Sequence, residues 1–229
     1  MEQTNDDLQD RLYDKSYTCP ICGEKFKSKD IKKGKTVFEG MDLGLRAKFN
    51  PILPDYYYVL ICDKCGYAAV TKTFNKINNV HIKNIKENIN KNYKPKKYPP
   101  VYDAKTAIDR YKIALYFAHI KESDLSERAY IAQKIAFIYG DIDDKEQELE
   151  YNKHAYNWYS DAYIDEEFPI MDMEENQFLY NLAYLSYKIG NKDETRKTLG
   201  KLAVKKDLSN TLKEAVENFV EIIKNEDKA

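Results

Sequence analysis

The sequence predicts an α+β protein in which a small, β-rich module precedes a mainly α-helical array. Two Cys-x-x-Cys pairs lie within the first 70 residues, where aromatic and β-branched residues are dense, and apolar residues recur at helical spacing beyond residue 103. The net charge also changes sign, from +7 over residues 1–100 to −8 over residues 101–229. A chain of 229 residues is long enough for two such parts.

Four segments are predicted along the chain. A flexible, acidic N-terminus covers residues 1–14, and the cysteine module covers residues 15–71. A connecting helix and a loop rich in Pro and Lys occupy residues 72–102, and a helical domain follows over residues 103–229. Because proline interrupts helices, the loop NYKPKKYPPVY is the predicted boundary between the two parts.

The four cysteines form two pairs, Cys19 with Cys22 in CPICG and Cys62 with Cys65 in CDKCGYA. Four thiolates arranged in two pairs are the ligand set of a closed, tetrahedral metal site. Zn2+ is the ion that such a site holds most often, so we expect a structural zinc ion. Iron (Fe) is the alternative, because rubredoxin-type centres use the same four thiolates.

The residues around each pair predict a zinc-ribbon-like module. Gly23 and Gly66 follow the second cysteine of their pairs, where a tight turn needs unusual backbone angles. Tyr17–Thr18 and residues 56–61 are β-branched, aromatic or aliphatic, and they precede the two pairs as strands would. Each strand is therefore expected to carry one cysteine turn, or knuckle, towards the metal.

An insertion of 39 residues separates Cys22 from Cys62, and it is rich in lysine and aromatic residues. Lysines such as Lys29, Lys32 and Lys33 beside aromatic rings predict, as one alternative, a surface for single-stranded nucleic acid. The other interpretation is structural, because KFKSK and KTVFE alternate as half-exposed strands do, with lysines in water and aromatic side chains in the core. We favour the structural interpretation.

Helical periodicity dominates the rest of the chain. One amphipathic helix is predicted between residues 73 and 92, before the proline-bearing loop. Six further helices are predicted to pack as antiparallel pairs, near residues 103–121, 124–139, 144–165, 173–189, 192–204 and 209–225.

Capping residues set the beginnings of several helices. Asp103 is placed to cap the first helix of the array. Asp124 with Glu127, and Asn191 with Glu194, have the three-residue spacing of capping boxes. Short polar turns that contain glycine separate the helices.

The stretch FLYNLAYLSYKIGNKDETRKTLGKL resembles a tetratricopeptide repeat. Ser186 and Thr195 depart from the residues that this repeat prefers, so looser packing of the paired helices is expected there. Together with CPICG and RAKFNPILPDYYYVLICDKCGYAAV, these tetratricopeptide-like hairpins resemble a family of uncharacterised bacterial proteins with an N-terminal four-cysteine module and a helical tail. That resemblance implies this architecture and a bound metal, and it implies no activity.

Surplus aromatic residues on one predicted helix indicate a partner site. Tyr156, Tyr159 and Tyr163 belong to a set that spreads around the helix beyond one buried stripe. Aromatic side chains are enriched at protein interfaces, so we expect these three to line a groove for a protein or peptide partner, whose identity the sequence does not specify.

The sequence predicts a non-enzymatic adaptor. The three histidines are isolated from one another, and four thiolates on one metal leave neither an open coordination place nor a free thiol nucleophile. The acidic N-terminus lacks the pattern of a secretory signal, and no apolar run approaches the roughly 20 residues that cross a membrane. A cytoplasmic location is therefore expected, with a nucleic-acid-associated protein or an iron electron carrier as alternative functions.

Overall fold

A computed structural model describes residues 4–89, 93–226 and 228, and it shows the α+β class that the sequence predicts. In these ranges the strands pair as three antiparallel hairpins, β1 with β2, β3 with β4, and β5 with β6. Their bounds are β1 Leu12–Thr18, β2 Lys25–Ile31, β3 Val37–Met41, β4 Ala47–Asn50, β5 Val59–Ile61 and β6 Ala68–Val70.

The helices of the array confirm the six predicted ones, with each end within two residues of the predicted position. Each helix from α3 onward contacts the next one along the chain. None of the helices in the described ranges is long and apolar enough to cross a membrane. The bounds are α1 Asn5–Gln9, α2 Asn79–Asn88, α3 Ala104–Ile120, α4 Leu125–Asp141, α5 Lys145–Asp165, α6 Glu175–Lys188, α7 Lys192–Ala203 and α8 Asn210–Glu226.

Two local predictions before the array are wrong in their extent. The helix predicted from residue 73 begins only at Asn79, because the side chain of Asn78 caps it by accepting from the His81 amide at 2.8 Å. The predicted strand over residues 56–61 is shortened to β5, since Pro54 begins a turn of 3₁₀ helix that extends to Tyr57. Residues 90–92 of the predicted helix lie outside the described residues.

The insertion between the cysteine pairs forms its own hairpin. In β2 the alternation prediction is confirmed, since Phe26 and Ser28 are buried, whereas Lys25 and Lys27 are exposed and Lys29 is half-buried. In β3 it is wrong, because Val37 and Phe38 are 68% and 53% exposed and the aromatic side chain is not in the core. The hairpin β3–β4 packs its two phenylalanines edge to face and leaves an apolar surface in solvent.

One hydrophobic core is shared by the cysteine module and the first helices. Strands β5 and β6 pack on α3, where Tyr67 meets the ring of Phe117 at 5.6 Å. Tyr111 in α3 donates a hydrogen bond to the Asp55 carbonyl at 2.8 Å. The boundary near residue 102 stays a prediction, but the apolar contacts run across it.

A second core joins helices α4 to α8. Ser186 and Thr195 are both fully buried where α6 crosses α7, and their hydroxyls lie 2.8 Å apart in a hydrogen bond. The expectation of looser packing at this crossing is therefore wrong, because two small side chains that satisfy each other let the helices approach closely.

The predicted caps of the array have mixed outcomes. Asp103 and Asn191 cap α3 and α7 as predicted, through the amides of Thr106 and Glu194. Asp124 makes no capping hydrogen bond, and Glu127 instead forms a buried ion pair with Lys121 at 2.7 Å.

A buried ion network attaches the insertion to the array. Arg46, which lies just before β4, donates to Asp55 at 2.7 Å and to both oxygens of Asp141 at 2.8 and 2.7 Å. Lys134 in α4 pairs with the other oxygen of Asp55. Burial raises the pKa of the Asp55 carboxyl, but the ammonium of Lys134 and the guanidinium of Arg46 outweigh it and hold that pKa below its ordinary value.

Candidate metal centre

The fold brings the four predicted cysteine ligands together. Their four Sγ atoms lie within 4.8 Å of one another, and none of them is in a disulfide. Across the two knuckles, Cys19 lies 3.7 Å from Cys65 and Cys22 lies 3.6 Å from Cys62. A tetrahedron with metal–sulfur bonds of about 2.3 Å has sulfur–sulfur edges of about 3.8 Å. The cluster is therefore of a size that could hold a metal ion.

Both knuckles use the same backbone hydrogen bonds. The carbonyl of Cys19 accepts from the Gly23 amide at 2.9 Å, and the carbonyl of Cys62 accepts from the Gly66 amide at 2.9 Å. Gly23 and Gly66 have φ of +73° and +78°, a region that side chains with a Cβ rarely adopt. The predicted need for glycine at these two turns is confirmed, and the turns direct both sulfurs of each pair to one point.

Gly66 has a second role beside the cluster. A Cβ atom at this position would lie 2.7 Å from the ring of Tyr93, a distance shorter than any ordinary contact. The absence of a side chain therefore lets Tyr93, in the segment between α2 and α3, lie directly on the second knuckle. This contact places that segment against the metal centre.

The thiols are electrostatically unequal. The hydrogen bond between the Cys19 and Cys65 sulfurs lowers the pKa of Cys19 to about 5 and raises the pKa of Cys65 above its usual range. Burial raises the pKa of Cys62 to about 11. A metal ion that binds all four sulfurs must displace the remaining thiol protons, so its affinity is expected to fall as the pH falls.

The cluster is part of the shared core. Cys19 and Cys62 are 1% and 0% exposed, and Cys22 and Cys65 are half-buried. Tyr67, which follows the second knuckle, is fully buried and donates to the Phe74 carbonyl at 3.2 Å. A metal at this point would thus hold together strands whose other face packs on α3.

The family model described as "Uncharacterized protein conserved in bacteria (DUF2225)" matches residues 12–224. The chain belongs to this family. An uncharacterized protein of Borreliella burgdorferi is 26% identical over 156 residues, which cover 58% of this chain and 54% of that protein. The chain thus spans about half the length of the curated relative that it matches. No solved structure matches the chain.

This family membership confirms that the chain belongs to an uncharacterised family of bacterial proteins, as the sequence resemblance implied. The match extends over both the cysteine cluster and the helices, so the two parts occur together in one family. The family description names no metal, partner or activity.

The three predicted partner residues do not share one surface. Tyr159 is fully buried and packs against Phe178 with ring centres 5.2 Å apart, so its side chain does not lie on the outer surface of α5. That expectation is wrong, because α5 is covered by α4 on one side and α6 on the other and its buried stripe is wide. Tyr156 is half-buried, whereas Tyr163 is 37% exposed and donates to Glu175.

The three lysines named for nucleic acid lie along β2 and the turn after it. Lys29 pairs with Asp14 at 2.8 Å, and Lys32 donates to the Asp10 carbonyl at 2.7 Å. Lys32 and Lys33 border a different cavity from the one that Lys29 lines. The structure therefore distributes them along an edge of the first hairpin, and nucleic-acid binding by them stays a prediction.

Two features have no counterpart in the sequence expectations. One is a cavity of about 490 Å³ between the insertion and helices α4 to α6, lined by Lys134 and by Tyr159, whose hydroxyl has no hydrogen-bond partner. The other is the surroundings of Arg110, a buried cation in α3. Both are assembled from segments far apart in the chain, so no local sequence pattern predicts them. The abundance of tyrosines predicted only that some tyrosine side chains would line a groove.

Proposed function

We propose that this DUF2225 protein is a non-enzymatic, zinc-stabilised adaptor of the cytoplasm, in which the cysteine module braces a tetratricopeptide-like array that binds a protein or peptide. The observation that carries the proposal is the closed cluster of four sulfurs inside the shared core. Its sulfur–sulfur distances of 3.6 and 3.7 Å are close to the edge of a tetrahedral zinc–thiolate site.

Four thiolates favour a structural over a catalytic zinc ion. A catalytic zinc keeps one position open for water or substrate, whereas four sulfur ligands fill its tetrahedron. The four cysteines are free thiols, two buried and two half-buried, which suits a compartment that keeps thiols reduced. These features support a bracing role for the metal and an intracellular setting.

Metal content tests this part of the proposal. Elemental analysis of the chain purified without added metal should give about one zinc per chain and a colourless protein. Stoichiometric iron with visible thiolate-to-iron absorption would replace the zinc proposal with the iron electron carrier, since zinc does not absorb visible light. Protein without metal would contradict both.

The outer face of α5 supports the proposed partner site. Near its C-terminal end, Ile164 is 79% exposed and Tyr163 is 37% exposed, with Tyr156 half-buried about two turns earlier. Exposed apolar and aromatic side chains of this kind anchor partners at interfaces. The acidic balance of the helical part would favour a partner with basic residues around such an anchor.

A matched pair of variants tests the partner site. The full chain carrying Ile164→Asp should capture less of its partner from the source cell than the wild type does. Val204→Asp is the control, because Val204 is 78% exposed at the end of α7 and is also β-branched. Equal capture by Ile164→Asp and wild type would move the partner site away from α5. Loss of the captured species in high salt, together with nuclease sensitivity, would favour the nucleic-acid alternative.

A further inference from the structure

Residues 93–101, which precede α3, line a cavity of about 430 Å³ beside the cysteine cluster. We call it the strap cavity, after residues 93–101, which cross over it. Its other walls come from β1, β2, the second knuckle and α3, and they include Ser28, Asp63 and Arg110. The cavity shares none of its lining with the proposed partner face on α5.

Arg110 is a buried cation that forms no ion pair or hydrogen bond with a carboxylate in the ranges that the structure describes, and the Asp63 carboxylate in the same wall interacts with it only at longer range. It is 3% exposed, and its guanidinium lies 4.7 Å from the ring centre of Tyr98 and 4.6 Å from that of Tyr102. Nη2 donates to the Val59 carbonyl at 2.6 Å, while Nε has no hydrogen-bond partner. Ring faces and one carbonyl compensate a buried charge only in part.

The charge of the other deeply buried arginine, Arg46, is compensated by groups of the chain itself. Arg46 is 5% exposed, and it donates to two carboxylates and a backbone carbonyl. Arg110 is as deeply buried, yet no ion pair with it is found among the described residues. Burying an unpaired charge is costly, so the contrast indicates that an anion from outside the chain completes this site.

Ser28 adds a second unpartnered polar group to the same cavity. Its residue is 6% exposed, and its hydroxyl has no hydrogen-bond partner. Ser28 lies on the inward face of β2, between Lys27 and Lys29, which also line the cavity. A serine hydroxyl can donate to an oxyanion, and its position in the wall suits that role.

The charges around the strap cavity favour a dianion. Lys29 is paired with Asp14 at 2.8 Å, and Lys96 is paired with Asp109 at 2.8 Å. The charged lining residues that then remain are Lys27, Lys97 and Arg110 on one side and Asp63 on the other, an excess of two positive charges. A phosphate monoester carries about −1.5 to −2 charges at pH 7.

We propose that the strap cavity binds a phosphate monoester of nucleotide size, with the phosphate held by Arg110 and Ser28, and with Lys27 in the lining adding positive charge. The volume is within the range of about 300 to 1,000 Å³ of small-molecule sites and is far larger than a phosphate alone, so an organic group accompanies it. Tyr93 and Tyr98 give that group aromatic neighbours. Both a free nucleotide and the 5′-phosphorylated end of a nucleic-acid strand carry this chemistry.

Calorimetric titration of the metal-loaded full chain tests the proposal. Adenosine 5′-monophosphate should bind, adenosine should not, and inorganic phosphate should bind more weakly because it lacks the organic group. A short single-stranded oligonucleotide with and without a 5′-phosphate distinguishes the two sources. Tighter binding of the phosphorylated oligonucleotide than of the mononucleotide assigns the site to strand ends, and the reverse assigns it to free nucleotides.

Three variants connect the binding to the cavity. Ser28→Ala should weaken mononucleotide binding about tenfold, the effect of one hydrogen bond to a charged group, without loss of thermal stability, because the hydroxyl has no partner in the chain. Lys27→Gln should also weaken it, and the effect should shrink in high salt. Lys105→Gln is the matched control, since Lys105 is an exposed lysine of α3 that does not line the cavity.

Arg110→Lys keeps the charge but removes the guanidinium fork, and we expect the largest loss of affinity from it. Because Arg110 also packs against two tyrosine rings, its variant is interpreted only together with Ser28→Ala and Lys27→Gln. The proposal is overturned if neither phosphorylated probe binds, if adenosine binds as well as its monophosphate, or if the Ser28 and Lys27 variants bind like the wild type.

Discussion

Replacing Cys62 by serine tests how far the metal centre supports the fold. A serine hydroxyl is not ionised at neutral pH, so the variant offers three thiolates and one poor ligand. Structural zinc sites contribute roughly 10 to 16 kcal/mol of apparent binding free energy, and a domain is stable by only about 5 to 15 kcal/mol. Loss of even half of the metal's contribution is therefore comparable to the whole stability of the module, and the module is expected to unfold.

The structure predicts how far this unfolding spreads. Strands β5 and β6 pack on α3, Arg110 of α3 donates to the Val59 carbonyl, and the ring of Tyr67 packs on Phe117. Unfolding of the knuckle strands would thus remove one wall of the core around α3. Helices α6 to α8 belong to the second core, which contains no residue of the cysteine module among its buried members. We expect α3 to lose protection and α6 to α8 to keep it.

Hydrogen–deuterium exchange measured by peptide mass spectrometry resolves this pattern. In Cys62→Ser, peptides from residues 12–70 and 104–120 should exchange far faster than in wild type, and peptides from residues 175–226 should change little. Lys64→Ser is the control, because Lys64 lies in the same knuckle and its solvent-accessible side chain forms an ion pair with Glu24 across the first knuckle. Full protection of α3 in a variant that has lost its metal would refute the shared-core reasoning. An equal loss of exchange protection over residues 175–226 would show that the chain unfolds as one unit.

Three further predictions concern buried polar groups. Tyr159→Phe should leave the free energy of unfolding in urea unchanged or raise it by up to about 1 kcal/mol, because the hydroxyl has no partner. A decrease in that free energy of more than about 1 kcal/mol would contradict this prediction. Arg46→Met should cost about 3 to 5 kcal/mol in the same assay, since it leaves Asp55 and Asp141 short of a buried cation, and a cost below 1 kcal/mol would refute it. The pKa of Asp55 is lowered by folding, so its contribution to stability is present above about pH 4 and is lost as the pH falls through its folded value. When thermal stability is measured as a function of pH, the loss of stability below about pH 4 should therefore be smaller in Asp55→Asn than in the wild type.

The helices were predictable because their signals are local. Periodic apolar residues fixed the six helices of the array, and a side chain such as that of Asp103 marks a helix start within three residues of its partner. The cysteine ligands were predictable for the same reason, since each knuckle is a turn of a few residues with its own glycine.

The direction in which a side chain faces was less predictable than the position of its helix or strand in the chain. Tyr159 was expected at a surface because aromatic residues surround α5, but periodicity does not tell how many neighbouring helices cover a helix. Two neighbours bury a wider stripe than one, and Tyr159 lies inside it while Ile164 lies outside. The exposed face of β3 was mispredicted for the same reason. Alternation of polar and apolar residues shows that the two faces of a strand differ, but it does not show that another element covers the apolar face.

Long-range pairs left no signal in the sequence at all. Arg46 and Asp141 are 95 residues apart, and nothing near either residue indicates the other. The 39 residues between the cysteine pairs resembled an excursion from a compact ribbon, yet they supply both Arg46 and Asp55, which hold α4. The insertion is therefore a second attachment of the module to the helices, through ion pairs with α4.

The two attachments have different consequences for the proposed sites. The ion network around Arg46 is complete within the chain, so it fixes the position of α4 whether or not a ligand is present. At the second knuckle, Gly66 lets Tyr93 pack closely, and the knuckle itself supplies Asp63. The turn that carries Cys62 and Cys65 therefore also forms a wall of the strap cavity. If metal binding orders that turn, it also orders the cavity. Mononucleotide binding by the strap cavity should then require the metal, whereas partner capture through α5 should depend on it much less, because α5 packs in the second core.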